Sequence, residues 1–380
     1  MVMPIFGTRP EAIKMAPVIA ALATHERLDV RVAVTGQHRE MLDQVNRVFG
    51  VQPAIDLNIS RPGQTLTDIT VAVMSGLADA FADRNRPDAV LVQGDTSTST
   101  VAALSAYYHR IPVIHLEAGL RSGNPLSPFP EEGNRKVTGQ LSALHLAPTS
   151  RSRANLLAEN VPESDIVVTG NTVIDALLHV VSLGTPFTDE RVAAAVESGR
   201  RIVVSTGHRR ESWQSGLTQT ARALARVAAT HPDVIVVMPL HKNPIVHEAI
   251  EPVMRGLQNV VMTEPLDYPQ FSHLLSAAHV IVTDSGGIQE EAPSLGKPVL
   301  VTRDTTERPE AVEAGAVRLI GTDENRVFAE LTSLLDDPGV YRAMSLAVNP
   351  YGDGRAAERA TAAIGAFLNV DTRLADFVAS

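Results

Sequence analysis

The sequence predicts an α/β protein made of two doubly wound domains, each a parallel sheet between layers of helices. Three observations carry this. The chain is 380 residues long, too long for one ordinary α/β domain and comfortable for two. Its apolar runs are short, continuous and rich in Val, Ile and Leu, as strands buried on both faces should be. These runs alternate with helix-length amphipathic stretches, and the alternation restarts in the second half.

In the first half, strands are expected at 2–6, 30–35, 89–93, 113–117, 144–147 and 166–168, with helices at 11–23, 65–83 and 100–109 among them. Pro4 cannot donate a ladder hydrogen bond, so the first strand is expected to begin after it. In the second half, strands are expected at 202–205, 234–238, 260–262, 280–283, 298–301 and 317–320, with helices at 217–229, 287–295 and 325–335. The stretch 183–200 is the least organised and marks the junction. It divides the chain into domains at 1–180 and 181–354. A last helix over 355–367, within the closing segment 355–380, follows the turn at 349–354.

Composition excludes several function classes. No stretch approaches the roughly 18 uninterrupted apolar residues of a membrane helix. The N-terminus MVMPIFGTRPEAIK lacks the features of a signal peptide. A cytoplasmic protein without a membrane partner is therefore expected. The chain has no cysteine, which removes disulfides, thiolate nucleophiles and cysteine-based zinc sites. No paired His or acid spacing suggests another metal. The formal net charge of −10 repels nucleic acid, so an anionic ligand must be held by local Arg, Lys, His and backbone N–H groups. Aromatic residues make up 4% of the chain, too few for platforms on which nucleic-acid bases stack.

Ligands of doubly wound sheets bind outside the carboxyl ends of the strands, and a cleft between two such domains would gather those ends. After the first strand comes Gly7-Thr8-Arg9-Pro10-Glu11, with Lys14 beyond. A glycine turn, a helix N-terminus and two cations suit a phosphate, and equally an ordinary strand–helix turn with solvated charges. Gln93-Gly94-Asp95 and His115-Leu116-Glu117 each put a carboxylate at a strand end. Neighbouring carboxylates suit acid–base work. Asp95 also reads as a helix N-cap, whereas Glu117 needs a partner if buried. In Pro128-Phe129-Pro130-Glu131-Glu132 the two acids open a helix, where one of them serves only its dipole.

In the second half, Thr206-Gly207-His208-Arg209-Arg210 follows a strand and makes another anion-binding candidate, with His241 a weaker one. Asp284-Ser285-Gly286-Gly287 opens a helix whose first turns carry Glu290 and Glu291. Its backbone can approach a diphosphate, and a carboxylate there can accept ribose hydroxyls or serve only the dipole. Arg303 and Arg308 follow in RDTTERPE.

Taken in order, GTRPEAIKMAP at 7–17, TGQHREMLDQV at 35–45, GD at 94–95, HLEAGLRSG at 115–123 and SPFPEEGNR at 127–135 resemble the non-hydrolysing UDP-N-acetylglucosamine 2-epimerase family. So do TGNTVIDAL at 169–177, TGHRRES at 206–212, TDSGGIQEEAPSLGKPVL at 283–300, RDTTERPEAVEAG at 303–315 and NPYGDG at 349–354. The resemblance implies two Rossmann-like domains of the GT-B type and a homodimer, with the C-terminal helix packing back on the first domain. It implies cofactor-free, reversible interconversion of UDP-GlcNAc and UDP-ManNAc, through elimination of UDP to 2-acetamidoglucal and re-addition. Carried over, Asp95, Glu117 and Glu131 handle protons and developing charge. Arg9, Lys14 and His208 hold the diphosphate, with His208 counted in the catalytic set. Ser285, Gly286 and Gly287 cradle phosphate, Glu291 binds ribose, Arg308 contacts the nucleotide and Phe271 lies against uracil. Gln37, Gln64, Arg209 and His241 are similar to an allosteric site of some members, although Gly63 stands where some have Arg. Many members have His where this chain has Gln93, and Gln where it has Leu266. Rival readings are a GT-B glycosyltransferase, a hydrolysing epimerase and a non-catalytic nucleotide-sugar sensor. The three carboxylates argue against the transferase and the sensor, whereas water access to the intermediate would separate the hydrolysing epimerase.

Overall fold

A computed structural model describes the chain except residues 38, 83–85, 208, 210–214 and 380. The chain forms two compact units, Met1–Ala176 with Tyr351–Val378, and Leu177–Pro350 with Ala379. Among the described residues no helix is long and apolar enough to cross a membrane.

The first unit runs β1 (Val2–Phe6), α1 (Arg9–Ala23), β2 (Ala33–Val34), α2 (Arg39–Val48), β3 (Ile55–Asp56), α3 (Leu66–Ala80), β4 (Ala89–Gln93), α4 (Ser97–Tyr108), β5 (Val113–Leu116), α5 (Glu131–Leu141), β6 (Leu144–Ala147), α6 (Ser150–Ala158) and β7 (Ile166–Val168). The next helix, α7 (Thr172–Ser182), carries the chain across the boundary between units. The sheet is parallel, ordered β3-β2-β1-β4-β5-β6-β7. Met3, Ile5, Val90 and Val92 on one face pack with Ile69, Val73 and Leu77 of α3 and Val101, Ala102 and Ala106 of α4.

Pro4 corrects an expectation: it lies inside β1, paired with Leu91 on the β4 side. On the other side Val2 meets Val30 in an isolated bridge, and regular pairing resumes only at Ile5 with Ala33. The missing N–H of Pro4 falls in that gap, which shortens the expected strand 30–35 to two residues.

The second unit continues with α8 (Glu190–Glu197), β8 (Arg201–Thr206), α9 (Gly216–Thr230), β9 (Val234–Pro239), α10 (Pro244–Met254), β10 (Val260–Thr263), α11 (Tyr268–Ala277), β11 (Val280–Thr283), α12 (Gly286–Glu291), β12 (Val299–Val301), α13 (Pro309–Glu313), β13 (Val317–Leu319), α14 (Glu324–Asp336) and α15 (Pro338–Ser345). Its parallel sheet is ordered β10-β9-β8-β11-β12-β13. Val203, Val236, Val280 and Val282 pack with Leu224 and Val227 of α9, Ile250 of α10 and Leu331 of α14. The stretch 183–200 is more ordered than its composition suggests. It contains α8, capped by the Asp189 carboxylate on the Arg191 N–H.

The chain then returns to the first unit as α16 (Ala356–Phe367), which packs on α1. Asp175 receives the N–H groups of Ala356 and Ala357 at 3.2 and 2.8 Å, capping that helix. The described residues beyond Phe367 form no regular secondary structure, and the Phe377 N–H binds the carbonyl of Val168.

Candidate functional site

In each sheet the strand order reverses direction at one place, between β1 and β4 and between β8 and β11. Loops leaving the carboxyl ends there diverge and leave room for a ligand. In the first unit those loops begin at Gly7 and Gly94, and β5 delivers Glu117 beside them.

The loop after β1 is built around Glu11, which is fully buried. Its carboxylate accepts the N–H groups of Gly7 at 3.0 Å and Thr8 at 2.8 Å, and the Thr96 hydroxyl at 2.6 Å. Burial raises its pKa, while those bonds pull the other way. A Cβ on Gly7 would stand 2.0 Å from Thr35 Oγ1 and 2.6 Å from Thr98 Oγ1. Only glycine lets the loop lie this close to its neighbours. Arg9 opens α1 and is exposed.

The three carboxylates have different partners. Glu117 is held by Lys14, Nζ to Oε1 at 2.5 Å, by Asn171 Nδ2 at 3.2 Å, and by Gln93 Nε2 on Oε2. Its backbone is left-handed, φ 61°, which costs a non-glycine residue about 1–2 kcal/mol and persists where the surroundings enforce it. Asp95 is paired with Arg135 at 2.5 Å. Thr96, not Asp95, caps α4, accepting the Ser99 N–H at 3.0 Å, so the capping alternative for Asp95 does not hold. His115, buried behind this loop, bonds the Gly94 carbonyl through Nε2 at 2.7 Å, which fixes its proton on that nitrogen. Burial pushes its pKa down to about 3.

Glu131 and Glu132 divide their work. Glu132 is buried and accepts the N–H groups of Ser122 and Gly123 at 2.9 and 3.1 Å, and Arg135 at 3.2 Å. Burial pushes its pKa up, but those donors outweigh it and hold the group below the usual carboxylate range. Glu132 therefore ties the loop after Glu117 to α5. The Oε2 of Glu131 is buried without a hydrogen-bond partner, an arrangement that costs stability unless something fills it.

In the second unit Ser285 leads into α12. Its N–H binds Thr283 Oγ1 at 3.0 Å, and its carbonyl accepts Gln289 Nε2 at 3.1 Å. Gln289 is fully buried and takes the Thr306 hydroxyl at 2.6 Å, which links this loop to the 303–308 segment. Arg308 donates through Nε to the buried Glu290, while Glu291 is half-buried. Phe271 is half-buried on α11, and the Arg209 N–H binds Asp284 at 2.8 Å. His208 lies outside the described residues.

The sequence profile of UDP-N-acetylglucosamine 2-epimerases matches residues 20–365. The chain belongs to the UDP-N-acetylglucosamine 2-epimerase family. The enzyme of that name from Escherichia coli K12 is 52% identical over 363 residues, 94% of this chain and 96% of that one. A crystal structure of a UDP-N-acetylglucosamine 2-epimerase superposes with a TM-score of 0.91 at 45% identity, covering 99% of this chain and 98% of the other. The Neisseria meningitidis epimerase, solved bound to UDP-GlcNAc, gives a TM-score of 0.85 at 45% identity over 97% of this chain and 99% of its own. The α/β architecture is accordingly GT-B-like.

Within this epimerase fold, the allosteric candidates have local roles. Gln37 accepts the Thr98 hydroxyl at 3.2 Å, and Gln64 spans its own loop, bonding Ile59 and Arg61. His241 accepts the Asn243 N–H at 3.1 Å, and Arg209 pairs with Glu307. Sequence reasoning gave no role to Gln93, Arg135 or Asn171. Arg135 had a signal: it lies one helical turn after Glu131 and Glu132, on their side of α5. Asn171, 54 residues from Glu117, had a weaker one: it follows the end of β7 within TGNTVIDAL at 169–177.

Proposed function

We propose that this epimerase interconverts UDP-GlcNAc and UDP-ManNAc by eliminating UDP to 2-acetamidoglucal and adding it back. The observation that carries this is the carboxylate set of the first unit: Asp95 and Glu117 at adjacent strand ends, with Glu131 holding an unpartnered buried oxygen. In the forward direction the proton on sugar carbon 2 passes to a carboxylate. The electrons of that C–H bond form the C1=C2 double bond, and the C1–O bond breaks towards UDP. Re-addition delivers a proton to the opposite face of carbon 2. No hydride leaves the sugar, so the net change needs no redox partner.

The proton on carbon 2 is weakly acidic, so departure of the diphosphate must carry much of the work. We assign the diphosphate to Ser285, Gly286 and Gly287 with Arg9 and His208, the ribose to Glu291, the uracil to Phe271 and a further nucleotide contact to Arg308. Lys14, bonded to Glu117, stands to neutralise charge on either side of the reaction. Glu131 suits proton transfer because its Oε2 has no competing partner. Asp95 and Glu117, fixed in place by Arg135 and Lys14, handle the remaining proton transfer and developing charge.

Proton NMR with UDP-GlcNAc in deuterated water, without added cofactor, tests this. UDP-ManNAc should appear, with deuterium at carbon 2 of both isomers. Asp95→Asn and Glu131→Gln should keep UDP binding and lose about 100-fold or more in turnover. A folded protein that binds UDP but exchanges nothing would sink the reading in favour of a transferase or sensor.

We further assign a homodimer. Val71 of α3, Tyr107 and Tyr108 of α4 and Val137 of α5 are exposed apolar side chains on helices that pack in sequence, α3 on α4 and α4 on α5. Light scattering should give twice the chain mass, and a monomer at micromolar concentration would remove this assignment.

A further inference from the structure

Beside the Ser285–Gly287 loop lies a charge cluster that the proposed chemistry does not use. Glu307 bridges two guanidinium groups. Its Oε2 accepts Nη1 of Arg303 at 2.9 Å, and its Oε1 accepts Nη2 of Arg209 at 3.2 Å. The same Oε1 lies 3.0 Å from where a Cβ on Gly286 would stand, and Arg209 Nη2 lies 3.6 Å from that point. The carboxylate thus sits against the loop backbone, in space that a side chain at 286 would take. Burial pushes the Glu307 pKa up. Its own backbone N–H and the charges of Arg303 and Arg308 outweigh this and hold it below the usual range, so it is an anion at neutral pH.

A second observation is independent of the bridge. The Arg303 side chain is only 10% exposed, and its Nε is buried with no hydrogen-bond partner. A buried guanidinium ordinarily fills its donors. This one satisfies Glu307 and still holds one unused. Two guanidinium groups around a carboxylate, against a glycine backbone, form an anion site whose present occupant is the chain's own side chain.

We propose that Glu307 is an internal stand-in for a phosphate group. It keeps Arg209 and Arg303 oriented and neutralised until the diphosphate of the nucleotide displaces it. This rests on the reading of Ser285–Gly287 as the diphosphate loop. A diphosphate carries more charge and more acceptor oxygens than a carboxylate, and it can fill the unused Arg303 donor. The Glu307 side chain is 39% exposed, so it has a route into water when displaced. Every phosphate-bearing ligand must break these ion pairs, whereas uridine need not.

Calorimetric titration of wild type and Glu307→Gln with UDP and with uridine separates the possibilities. Gln keeps the shape and removes the charge, so UDP should bind about three- to fivefold more tightly, the range that two partly exposed ion pairs support. Uridine affinity should stay within twofold. Adding Arg303→Ala to Glu307→Gln should abolish the gain. Equal or weaker UDP binding by Glu307→Gln overturns the proposal. Weaker binding of both ligands would make Glu307 a direct nucleotide contact and overturns it too. A wild-type protein that does not bind UDP overturns both this proposal and the diphosphate assignment beneath it.

Discussion

Glu117 shows how much of the candidate site is set one residue at a time. A left-handed backbone turns it out of β5, and three donors then hold its carboxylate. Of the three, Gln93 is the one whose removal tests positioning most cleanly: unlike Lys14 it carries no charge, whereas Asn171 also accepts the Val173 N–H at 3.1 Å through Oδ1. Hydrogen bonds to charged groups contribute about 1.5–3 kcal/mol. If Gln93 aims Glu117 at the sugar, Gln93→Leu should lower kcat by about tenfold or more. KM should change little, while the melting temperature should fall by a few degrees, because the largely buried Glu117 carboxylate loses a donor. Turnover within twofold of wild type would mean that Lys14 and Asn171 suffice. Residue identity was legible in the sequence at this scale, and partnership was not. By residue pattern alone Asp95 also read as a cap, and only the family resemblance picked Glu131 over Glu132. The difference between them is made by Thr96, Ser122, Gly123 and Arg135, whose approach depends on tertiary structure.

At the scale of elements, the hydrophobic pattern located most of the two sheets, because buried parallel strands are written as continuous apolar runs. β1, β4, β6, β7 and β11 lie where those runs do. It failed where packing overrides composition. β3 is two residues long, with Ile55 half-buried and Asp56 exposed, and so carries no run to find. Pro4 argued against the start of β1, yet the strand pairs with β4 through Val2, Met3 and Pro4 itself and tolerates a gap on the other side. α8 (ERVAAAVE) is only eight residues long and buries just Val192 and Ala195, so it offers about two turns of pattern, too few to declare a helix. The Ser285 loop was legible because its glycines and serine are local signals. The bridge from Glu307 to Arg209 joins residues 98 apart, and no local pattern announces it.

On the scale of the whole molecule, buried titratable groups set opposing demands on pH. His115 and His145 pair in register across β5 and β6. Burial pushes their pKa values from 6.5 down to about 3 and about 4. Groups with depressed folded pKa values contribute stability that is full above the unfolded value of 6.5 and lost as pH falls through that range. Asp175 does the reverse. Burial raises it from 3.8 to about 6, against the bonds from Ala357 and Ala356. Its contribution is full below 3.8 and lost as pH rises through about 6. Glu11, also raised by burial, acts in the same sense. Between about pH 4 and 6 the two slopes offset each other, so stability should vary less there than either pair would impose alone. Asp175→Asn keeps an acceptor for the first turn of α16 and removes the titration. Its melting temperature should therefore fall more steeply than that of wild type between about pH 6 and 4. His145→Gln, which removes an opposing histidine, should flatten the acid side. Parallel melting curves for Asp175→Asn and wild type across this range would show that Asp175 does not change protonation on unfolding there. The acid sensitivity of the fold would then rest on the histidines, with Glu11 left to oppose them.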